Sequence, residues 1–460
     1  MNIISLFNSF LYHFSNILDD KIKLHDLESK IYDSTNELNL NVLKDILENI
    51  DLTYKQSKKR KKLYSVKDTR SRTLITSLGL IEFNKTYYKS KIDGKYYSYL
   101  EDYLGIDKWA KMTLKAEVNL INNSIDNGMS WASTNTIPNY SISRQTISKK
   151  IKNINYNYVD QIERKETPNT LYIEADEVHS NLQRKCSNTK KNKVVPVILT
   201  HEGHKEDFVK KKQLKGKHYI ASSLLKTDKL WNETYKYLDN KYDLNKVDYL
   251  FISGDGASWI KNYDEVFPNA IFILDKFHYR KALNCIFKKE SLITSIADDY
   301  LRHNMIREFK QLVSIQLNIY SEQKTKLIKY QNYLLKNIEG IINQKHPKYK
   351  CPCSMEGHIS NYYAKRLTSR PHAYSDDGLE NTVQLLTMKA NNIILTEDIY
   401  CQFKYGESTY KKLNLEKYVS SFRLQANQVY DFVTTSYPID SSSFNLKDMY
   451  RLNYFLNKRL

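Results

Sequence analysis

Two short apolar segments, each ending in an aspartate, are the feature that most constrains the fold of this chain. One runs from Thr170 to Asp176 and the other from Tyr249 to Asp255. Short runs rich in aromatic and branched side chains predict buried strands. Strands with carboxylates at their ends can bring these groups together around a divalent cation. The sequence therefore predicts a sheet with a paired-carboxylate site formed by Asp176 and Asp255.

The residues beside each aspartate bear on this prediction. Glu174 and Asp176 are two positions apart, so they share one face of a strand, whereas Glu177 points to the other face. Asp255 lies between two glycines, a pattern that is also common in plain turns. We favour a functional aspartate, because an apolar strand precedes it and glycines allow a phosphate to approach the backbone closely.

The net charge indicates the kind of partner. The 460 residues include 71 Lys and Arg against 52 Asp and Glu, which gives a formal net charge of +19. A strongly basic balance is typical of proteins that bind nucleic acid. Acidic lipid headgroups are the alternative partner, but no lipid-anchor motif supports them. A carboxylate pair in such a chain predicts a nuclease-like centre in a nucleic-acid-binding protein.

Cysteine content and hydropathy predict the compartment. Five cysteines are too few for a disulfide framework, which favours a reducing cytosol. Cys351 and Cys353, with His358 and His372 downstream, lack the spacing that is usual for structural zinc. No run approaches the roughly 20 apolar residues that a membrane span needs. We therefore expect a soluble cytoplasmic protein without a membrane partner.

A candidate DNA-reading helix follows the turn at residues 138–142. Ser143 can cap a helix over residues 144–152 in which Ile147 and Ile151 face inward. An apolar back and a basic front are what a helix-turn-helix recognition helix requires for major-groove contacts. An ordinary amphipathic surface helix would have the same pattern. The outward side chains that would contact DNA are Arg144, Gln145, Ser148, Lys149 and Lys152.

The remaining periodicities predict an α/β region between mainly helical ones. Residues 1–55 and 279–345 have helical spacing, and residues 72–97 fit a small β-hairpin. Strands are predicted at 170–176, 193–200, either 207–209 or 217–221, 247–254 and 270–274. A helix over 222–239 separates the third and fourth of these strands, an order compatible with an RNase H-like core. Pro196 indicates that the second strand lies at an edge or contains a bulge.

Several short motifs, taken together, resemble one known family. They are Glu174-Ala175-Asp176-Glu177, His201-Glu202-Gly203, residues 254–260, Leu274-Asp275-Lys276-Phe277-His278 and residues 354–360. In this order and spacing they resemble the ISLre insertion-sequence transposases, which are relatives of the Mutator-type DDE transposases. The resemblance covers nearly the whole chain and includes residues 73–79 and 369–371.

The resemblance implies a set of site residues. Asp176 and Asp255 match the first two catalytic acids. Asp275 and His278 match the D-x-x-H signature that follows the second acid, in which Asp275 orients His278 towards the transposon end or a flipped base. For the third acid we choose Glu356, because its distance from Asp255 leaves room for a helical insertion and its flanking residues match. Glu380, followed by asparagine, is the alternative.

The fold implied is an α/β RNase H-like catalytic core, a mixed sheet with flanking helices. An all-α insertion interrupts the core, and a mainly helical DNA-binding region precedes it. The expected boundaries are an N-terminal helical region 1–65, a hairpin and helix-turn-helix-like region 66–165, a first core part 166–282, the helical insertion 283–348, a third-acid segment 349–395 and a C-terminal helical region 396–460.

The function implied is that of a DDE transposase of a bacterial insertion sequence, located in the cytoplasm at the nucleoid. Asp176, Asp255 and Glu356 would hold two Mg²⁺ or Mn²⁺ ions, and Arg370 would contact phosphate. The expected partners are double-stranded DNA, as terminal inverted repeats and target, and at least one further copy of the chain. The alternatives are an RNase H-like nuclease or resolvase, and a non-catalytic helix-turn-helix regulator.

Overall fold

The structure, a computed structural model, describes residues 23–155, 162–183, 192–205, 213–287, 291–368 and 373–405. The described residues fall into two compact units. The smaller comprises residues 50–70 and 85–109, and the larger comprises the rest. Residues 1–22 and 406–460, for which helices were predicted, lie outside the described residues. Across the ranges that the structure describes, no helix is both long enough and apolar enough to cross a membrane.

The first described elements are two helices and a three-stranded sheet. They are α1 (Leu24–Gln56), α2 (Lys58–Leu63), β1 (Tyr64–Thr76), β2 (Gly79–Ser90), β3 (Tyr96–Tyr97) and α3 (Tyr99–Leu104). The strand order is β1-β2-β3, so the predicted hairpin is confirmed. β1 begins eight residues earlier than predicted, because its first half is largely exposed and has no apolar alternation to reveal it.

Three helices follow: α4 (Leu114–Asn127), α5 (Met129–Asn135) and α6 (Arg144–Lys152). The predicted helix over 144–152 is confirmed together with its cap, since the side chain of Ser143 accepts a hydrogen bond from the backbone N–H of Thr146. Ile147 and Ile151 are fully buried, as their spacing predicted. The local pattern therefore specified this helix completely.

The central element of the larger unit is a five-stranded mixed sheet. Its strands are β4 (Thr170–Asn181), β5 (Asn192–His201), β6 (His218–Ala221), β7 (Tyr249–Gly254) and β8 (Ile271–Leu274), in the order β6-β5-β4-β7-β8. β5 is antiparallel to both β4 and β6, whereas β4, β7 and β8 are parallel. Helices α7 (Thr227–Lys241) and α8 (Ser258–Lys261) connect the parallel strands.

The five predicted strands are confirmed, with two differences. β4 continues to Asn181 because β5 pairs with it along its whole length, so Asp176 lies within the strand rather than at its end. The third strand is at the second of its two predicted positions, and the first position, 207–209, lies outside the described residues. β5 is an interior strand, contrary to the prediction from Pro196. However, β6 reaches only as far as Val197, so Pro196 has a strand neighbour on one side alone.

The two faces of the sheet are covered by different helices. One face carries Leu171, Ile173, Ala175, Ile198, Ile252 and Leu274 and packs against α7 and the long helical segment that follows β8. The opposite face carries Tyr172, Val178, Val197, Leu199, Phe251 and Ile273 and packs against α4, α6 and the helices after residue 354. The alternation of buried side chains along each strand assigns every sheet residue to one of these faces.

The long helical segment also covers the edge strand β8. It comprises α9 (Lys276–Phe287), α10 (Ser291–Arg302), α11 (Ile306–Ile319), α12 (Lys324–Lys336) and α13 (Ile338–Ile342). Beyond it, the side chain of Asn343 donates to Phe272 O at 3.0 Å and that of Gln344 donates to Leu274 O at 2.7 Å. These bonds satisfy carbonyl groups that an edge strand would otherwise leave unpaired.

The last described elements return to the opposite face. They are α14 (Met355–His358), a π-helical turn (Ile359–Ala364), α15 (Lys365–Leu367), α16 (Asp376–Ala390) and α17 (Glu397–Tyr405). Asn381 of α16 donates from its side-chain amide to Ile151 O and Ile154 O, both at 2.9 Å. It thereby satisfies carbonyl groups at the C-terminal end of α6 and joins α6 to the core.

Candidate active site

The register of the parallel strands brings three aspartates to one level of the sheet. Ala175 of β4 pairs with Gly254 of β7, which in turn pairs with Leu274 of β8. Neighbouring strands lie about 4.8 Å apart. The next residue along each strand is an aspartate, and these residues are Asp176, Asp255 and Asp275. Three carboxylates from adjacent strands therefore follow one another at about this spacing.

The three aspartates also share one face of the sheet. Side chains two or four positions apart in a strand lie on the same face. Asp176 therefore shares its face with Tyr172 and Val178, Asp255 shares it with Phe251, and Asp275 shares it with Ile273. This is the face covered by α14 to α16. Glu177 points to the other face, where its carboxylate accepts a hydrogen bond from the indole N–H of Trp259 at 3.2 Å. The prediction that Glu174 and Asp176 lie on one face of β4 and Glu177 on the other is thus confirmed.

One oxygen of each aspartate accepts a hydrogen bond from the backbone one or two residues further along the chain. The Oδ1 atoms of Asp176 and Asp255 each accept a backbone N–H at 2.8 Å, from Glu177 and Ala257, and Oδ1 of Asp275 accepts from Phe277 N at 3.2 Å. Among the described residues, no hydrogen bond is formed to Oδ2 of Asp176 or Asp255. These local hydrogen bonds orient the carboxylates and leave Oδ2 of Asp176 and Asp255 for another ligand.

Burial and the charges of nearby carboxylates raise the pKa of two aspartates in this cluster. Burial raises the pKa of Asp176 to about 6, and the negative charges of Asp255 and Asp275 add to the increase against the effects of a backbone hydrogen bond and of His278. Burial also raises the pKa of Asp275, and the charges of Glu174 and Glu356 contribute. Glu356 is therefore close enough to act electrostatically on the cluster.

Asp275 and His278 are neighbours as the sequence predicted, at the start of α9. His278 Nε2 lies 3.9 Å from Asp275 Oδ2, and the His278 side chain is 28% exposed, compared with 10% for Asp275. The two side chains are therefore close but not hydrogen-bonded, and His278 is partly accessible to solvent. The sequence did not indicate that Asp275 is level with Asp176 and Asp255 in the sheet.

The segment that contains Glu356 is attached to β4 by a buried carboxylate. Glu174 Oε2 accepts hydrogen bonds from the backbone N–H of Ser354 at 2.9 Å and from its hydroxyl at 3.2 Å. Glu174 Oε1 lies 3.1 Å from His201 Nε2, and both residues are 1% exposed. Gly203 N donates to His201 Nδ1 at 3.0 Å. Sequence reasoning did not find this cluster, although a charged residue inside an apolar strand was a signal for it.

The other third-acid candidate, Glu380, has a different environment. Its carboxylate accepts hydrogen bonds from Ser222 Oγ, Ser223 Oγ and Ser223 N at 2.6–2.8 Å and from Leu224 N at 3.2 Å. These donors form the loop after β6, at the edge of the sheet opposite to β8. The carboxylate of Glu380 therefore stabilises this loop.

The two glycines around Asp255 are explained by contacts within the protein. A Cβ atom on Gly254 would lie 2.8 Å from Ala175 O and from the Ile260 side chain, so only glycine lets β7 approach β4 here. Gly256 has a φ of +79°, and a Cβ atom there would clash with Asn337. The close approach expected from these glycines is thus made by protein atoms, and no phosphate is needed to account for them.

The predicted DNA-binding residues of α6 differ in exposure. Arg144, Gln145 and Lys149 are exposed, whereas Ser148 and Lys152 are partly buried. Lys150, on the flank of the helix, forms an ion pair of 2.5 Å with Glu117 of α4. The accessible side chains among the five predicted ones are therefore Arg144 and Gln145 in the first turn and Lys149 in the last turn of α6. Arg370 lies outside the described residues.

The donor chemistry of the acidic cluster fits a hard divalent cation. Carboxylates that repel one another, each with an oxygen free of hydrogen bonds, are suitable ligands for such an ion. Within the described ranges, however, no group of three or more His, Cys, Asp or Glu side chains already stands in metal-binding positions. Burial raises the pKa of the Cys353 thiol well above its ordinary value, and nearby carboxylates add to the increase, so this thiol is not a reactive thiolate in the metal-free protein.

Together, fold and site define a mixed α/β protein whose central sheet carries three in-register aspartates. The chain belongs to the uncharacterised protein family UPF0236, whose sequence model matches residues 17–401. It is similar to UPF0236 proteins of Caldanaerobacter subterraneus subsp. tengcongensis. One is 29% identical over 425 residues, covering 91% of this chain and 87% of the relative. A second is 28% identical over 425 residues, covering 91% of this chain and 88% of the relative.

The names of these relatives carry further information. The name of the 29% identical protein combines eleven locus designations of that genome. The name of another relative, 28% identical over 425 residues, combines four. The family is therefore present there as many paralogues.

Proposed function

We propose that this protein is a DDE transposase of an insertion sequence, which binds the ends of its element and catalyses metal-dependent 3′-end cleavage and strand transfer. The observation that carries the proposal is the common level and face of Asp176 and Asp255, with the Glu356 segment attached to the same face of β4 through Glu174. Convergence of carboxylates from separate elements is what two-metal phosphoryl transfer requires.

The order of elements supports an RNase H-like core. Three antiparallel strands come first, then α7, then two strands parallel to the first. The helical segment from α9 to α13 lies between the second and third proposed acids, where the resemblance to the insertion-sequence transposases expects an insertion. This topology supports the proposal independently of the acidic residues, since backbone pairing alone defines it.

The copy number of the relatives supports a mobile element. A sequence found at eleven loci of one genome is what replication and insertion of an element would produce. A host nuclease or a regulator with one cellular task gives no reason for so many copies.

Each proposed site residue has a chemical role. Asp176, Asp255 and Glu356 would hold two Mg²⁺ or Mn²⁺ ions, which when bound activate the attacking hydroxyl and stabilise the leaving oxygen. Asp176 carries its negative charge fully only above about pH 6, because of its raised pKa. Asp275, 3.9 Å away, would orient His278, whose partial exposure allows it to contact DNA.

DNA recognition is assigned to α6. The exposed Arg144, Gln145 and Lys149 can reach base edges and phosphates of double-stranded DNA, while Ile147 and Ile151 fix the helix on the core. Two element ends must be held together for strand transfer, so we propose that at least two copies of the chain act together.

The proposal is tested with DNA that carries the sequences flanking the gene. Purified protein with Mg²⁺ should cut the 3′ ends of the element and join them to a target duplex. Asp176→Asn, Asp255→Asn and Glu356→Gln should abolish both reactions but keep DNA binding, and Asp264→Asn, an exposed acid elsewhere in the larger unit, should change neither.

Two results would reject this function. Cleavage without joining, at sites unrelated to the element ends, would indicate a nuclease or resolvase. Specific binding without any cleavage in Mg²⁺ or Mn²⁺ would indicate a regulator.

A further inference from the structure

We infer that Glu174 and Tyr219 are positioning residues: they fix the backbone on both sides of Glu356 and so hold this carboxylate beside the in-register aspartates. The inference rests on the proposed function, because it assigns a task to the Glu356 segment in the same site. Neither residue belongs to the proposed metal ligands.

The first anchor is the Glu174–His201 pair. A carboxylate that is 1% exposed is costly unless its oxygens accept hydrogen bonds. The bond from Gly203 N makes Nδ1 of His201 an acceptor, so its Nε2 carries the hydrogen and donates to Glu174 Oε1. The remaining oxygen of Glu174 accepts both donors of Ser354. Glu174 is thereby satisfied within the protein.

This anchor sets the place of Ser354 relative to the aspartates. Glu174 and Asp176 are on the same face of β4, about 6.6 Å apart along the strand. Since β4 is paired on both sides, with β5 and β7, its backbone is rigidly placed. Ser354, two residues before Glu356, is consequently tied to a fixed point next to Asp176.

The second anchor lies two residues after Glu356. The hydroxyl of Tyr219 on β6 is 2.6 Å from Nδ1 of His358. Tyr219 is 1% exposed, and its backbone N–H and C=O both bond to the side chain of Asn391. The ring of His358 also stacks in parallel with that of Tyr362, with ring centroids 6.3 Å apart. His358 is therefore held by a residue that is itself immobilised.

Between the anchors, the Glu356 carboxylate forms no hydrogen bond or ion pair with any residue that the structure describes. Glu356 is exposed, and a Cβ atom on the next residue, Gly357, would meet no atom within 4 Å. Met355 is buried beneath it, and the π-helical turn begins at Ile359. π-Helical turns are frequent at functional sites. A backbone fixed at both ends around an unengaged carboxylate is the arrangement expected of a positioned ligand.

The test compares two tyrosines. Tyr219→Phe removes only the hydroxyl that holds His358. Tyr363→Phe is the matched control, because Tyr363 is also fully buried, lies in the π-helical turn and bonds through its hydroxyl to Thr387 at 3.0 Å. Ser354→Ala probes the first anchor mildly, whereas replacing the buried Glu174 itself risks unfolding the protein.

Two measurements are made on each variant. Hydrogen–deuterium exchange of residues 354–358 in the metal-free protein should be about five-fold faster in Tyr219→Phe and Ser354→Ala, the factor that corresponds to one lost hydrogen bond, and unchanged in Tyr363→Phe. The Mn²⁺ concentration that half-saturates binding, followed by the paramagnetic resonance of free Mn²⁺, should rise about five-fold in the same two variants alone.

The outcomes separate this inference from the proposed function. Equal exchange in the two tyrosine variants would overturn the anchors, whether or not the protein transposes DNA. Faster exchange with unchanged Mn²⁺ binding would overturn the link to Glu356. If wild-type protein cuts no DNA while exchange and Mn²⁺ affinity respond as expected, the anchors stand and the proposed function fails.

Discussion

Two groups of acidic side chains around the central sheet differ in their surroundings. In the first group, Asp176, Asp255 and Asp275 lie at one level of the sheet, and burial together with nearby carboxylates raises the pKa of Asp176 and Asp275. In the second group, Glu174, Glu202 and Glu380 each accept hydrogen bonds from nearby donors. Acids of the second group therefore stabilise the fold, whereas those of the first group are available to bind a ligand.

The largest expected difference is in catalysis. Asp255→Asn in the first group should reduce strand transfer by about 10³-fold or more, since it removes a proposed ligand of the reacting centre. The melting temperature should stay the same or rise, because the substitution removes repulsion. Strand-transfer assays and thermal melts check both parts. An active variant with a lowered melting temperature would place Asp255 among the structural acids.

The two third-acid candidates offer the sharpest contrast. Glu380→Gln should lower the free energy of unfolding by about 2 kcal/mol, because the new amide cannot accept all the donors of the 222–224 loop. Glu356→Gln, at an exposed position, should change it by less than about 0.5 kcal/mol yet abolish activity. Urea unfolding and strand transfer are measured on both. A stable, inactive Glu380→Gln with an active Glu356→Gln would reverse the assignment.

Asp176 should make stability depend on pH. Its pKa is raised from 3.8 to about 6 in the folded protein, so the native state holds this proton more tightly than the unfolded chain. The resulting stabilisation is complete below about pH 4 and is lost as pH rises through about 6. Wild type should therefore lose about 3 kcal/mol relative to Asp176→Asn between pH 3 and pH 7. A difference that does not vary with pH would show that burial has little effect on this carboxyl.

Glu202 should show the opposite sign and a smaller effect. Burial raises its pKa, but hydrogen bonds from Lys215 and Tyr242 outweigh burial and leave the pKa below its ordinary 4.5. Its stabilisation is present above about pH 4.5 and is lost as pH falls through the folded value. Glu202→Gln should cost about 1 kcal/mol at pH 7 and almost nothing at pH 3, as measured by denaturant unfolding. A constant cost would assign the effect to packing.

Features encoded locally were predicted well. The strands β4, β5, β7 and β8 and the helix α6 with its Ser143 cap follow from periodicity and capping, which depend on residues a few positions apart. The exposed first half of β1 was missed for the same reason, because it has no apolar alternation. Local patterns predict an element only where one side of it is buried.

Features that join distant residues were not predicted. Ser354 is 180 residues from Glu174 and 153 from His201 along the chain, and nothing local connects them. The sequences that flank Glu380 and Glu356 are both compatible with a third catalytic acid. Only their neighbours distinguish them, a serine-rich loop for one and the aspartate cluster for the other.

The sequence by itself determined where the buried parts of β4, β5, β7 and β8 lie, which face Glu174, Asp176 and Glu177 occupy, and that carboxylates follow apolar strands in a strongly basic chain. These properties depend on side-chain alternation and composition, which a sequence displays directly. Only the tertiary structure decided that Asp275 lies level with Asp176 and Asp255. It also decided that both carboxylate oxygens of Glu174 accept hydrogen bonds inside the protein, whereas Glu356 is exposed. Both depend on strand register and on long-range hydrogen bonds, which arise only when segments far apart in the chain pack together.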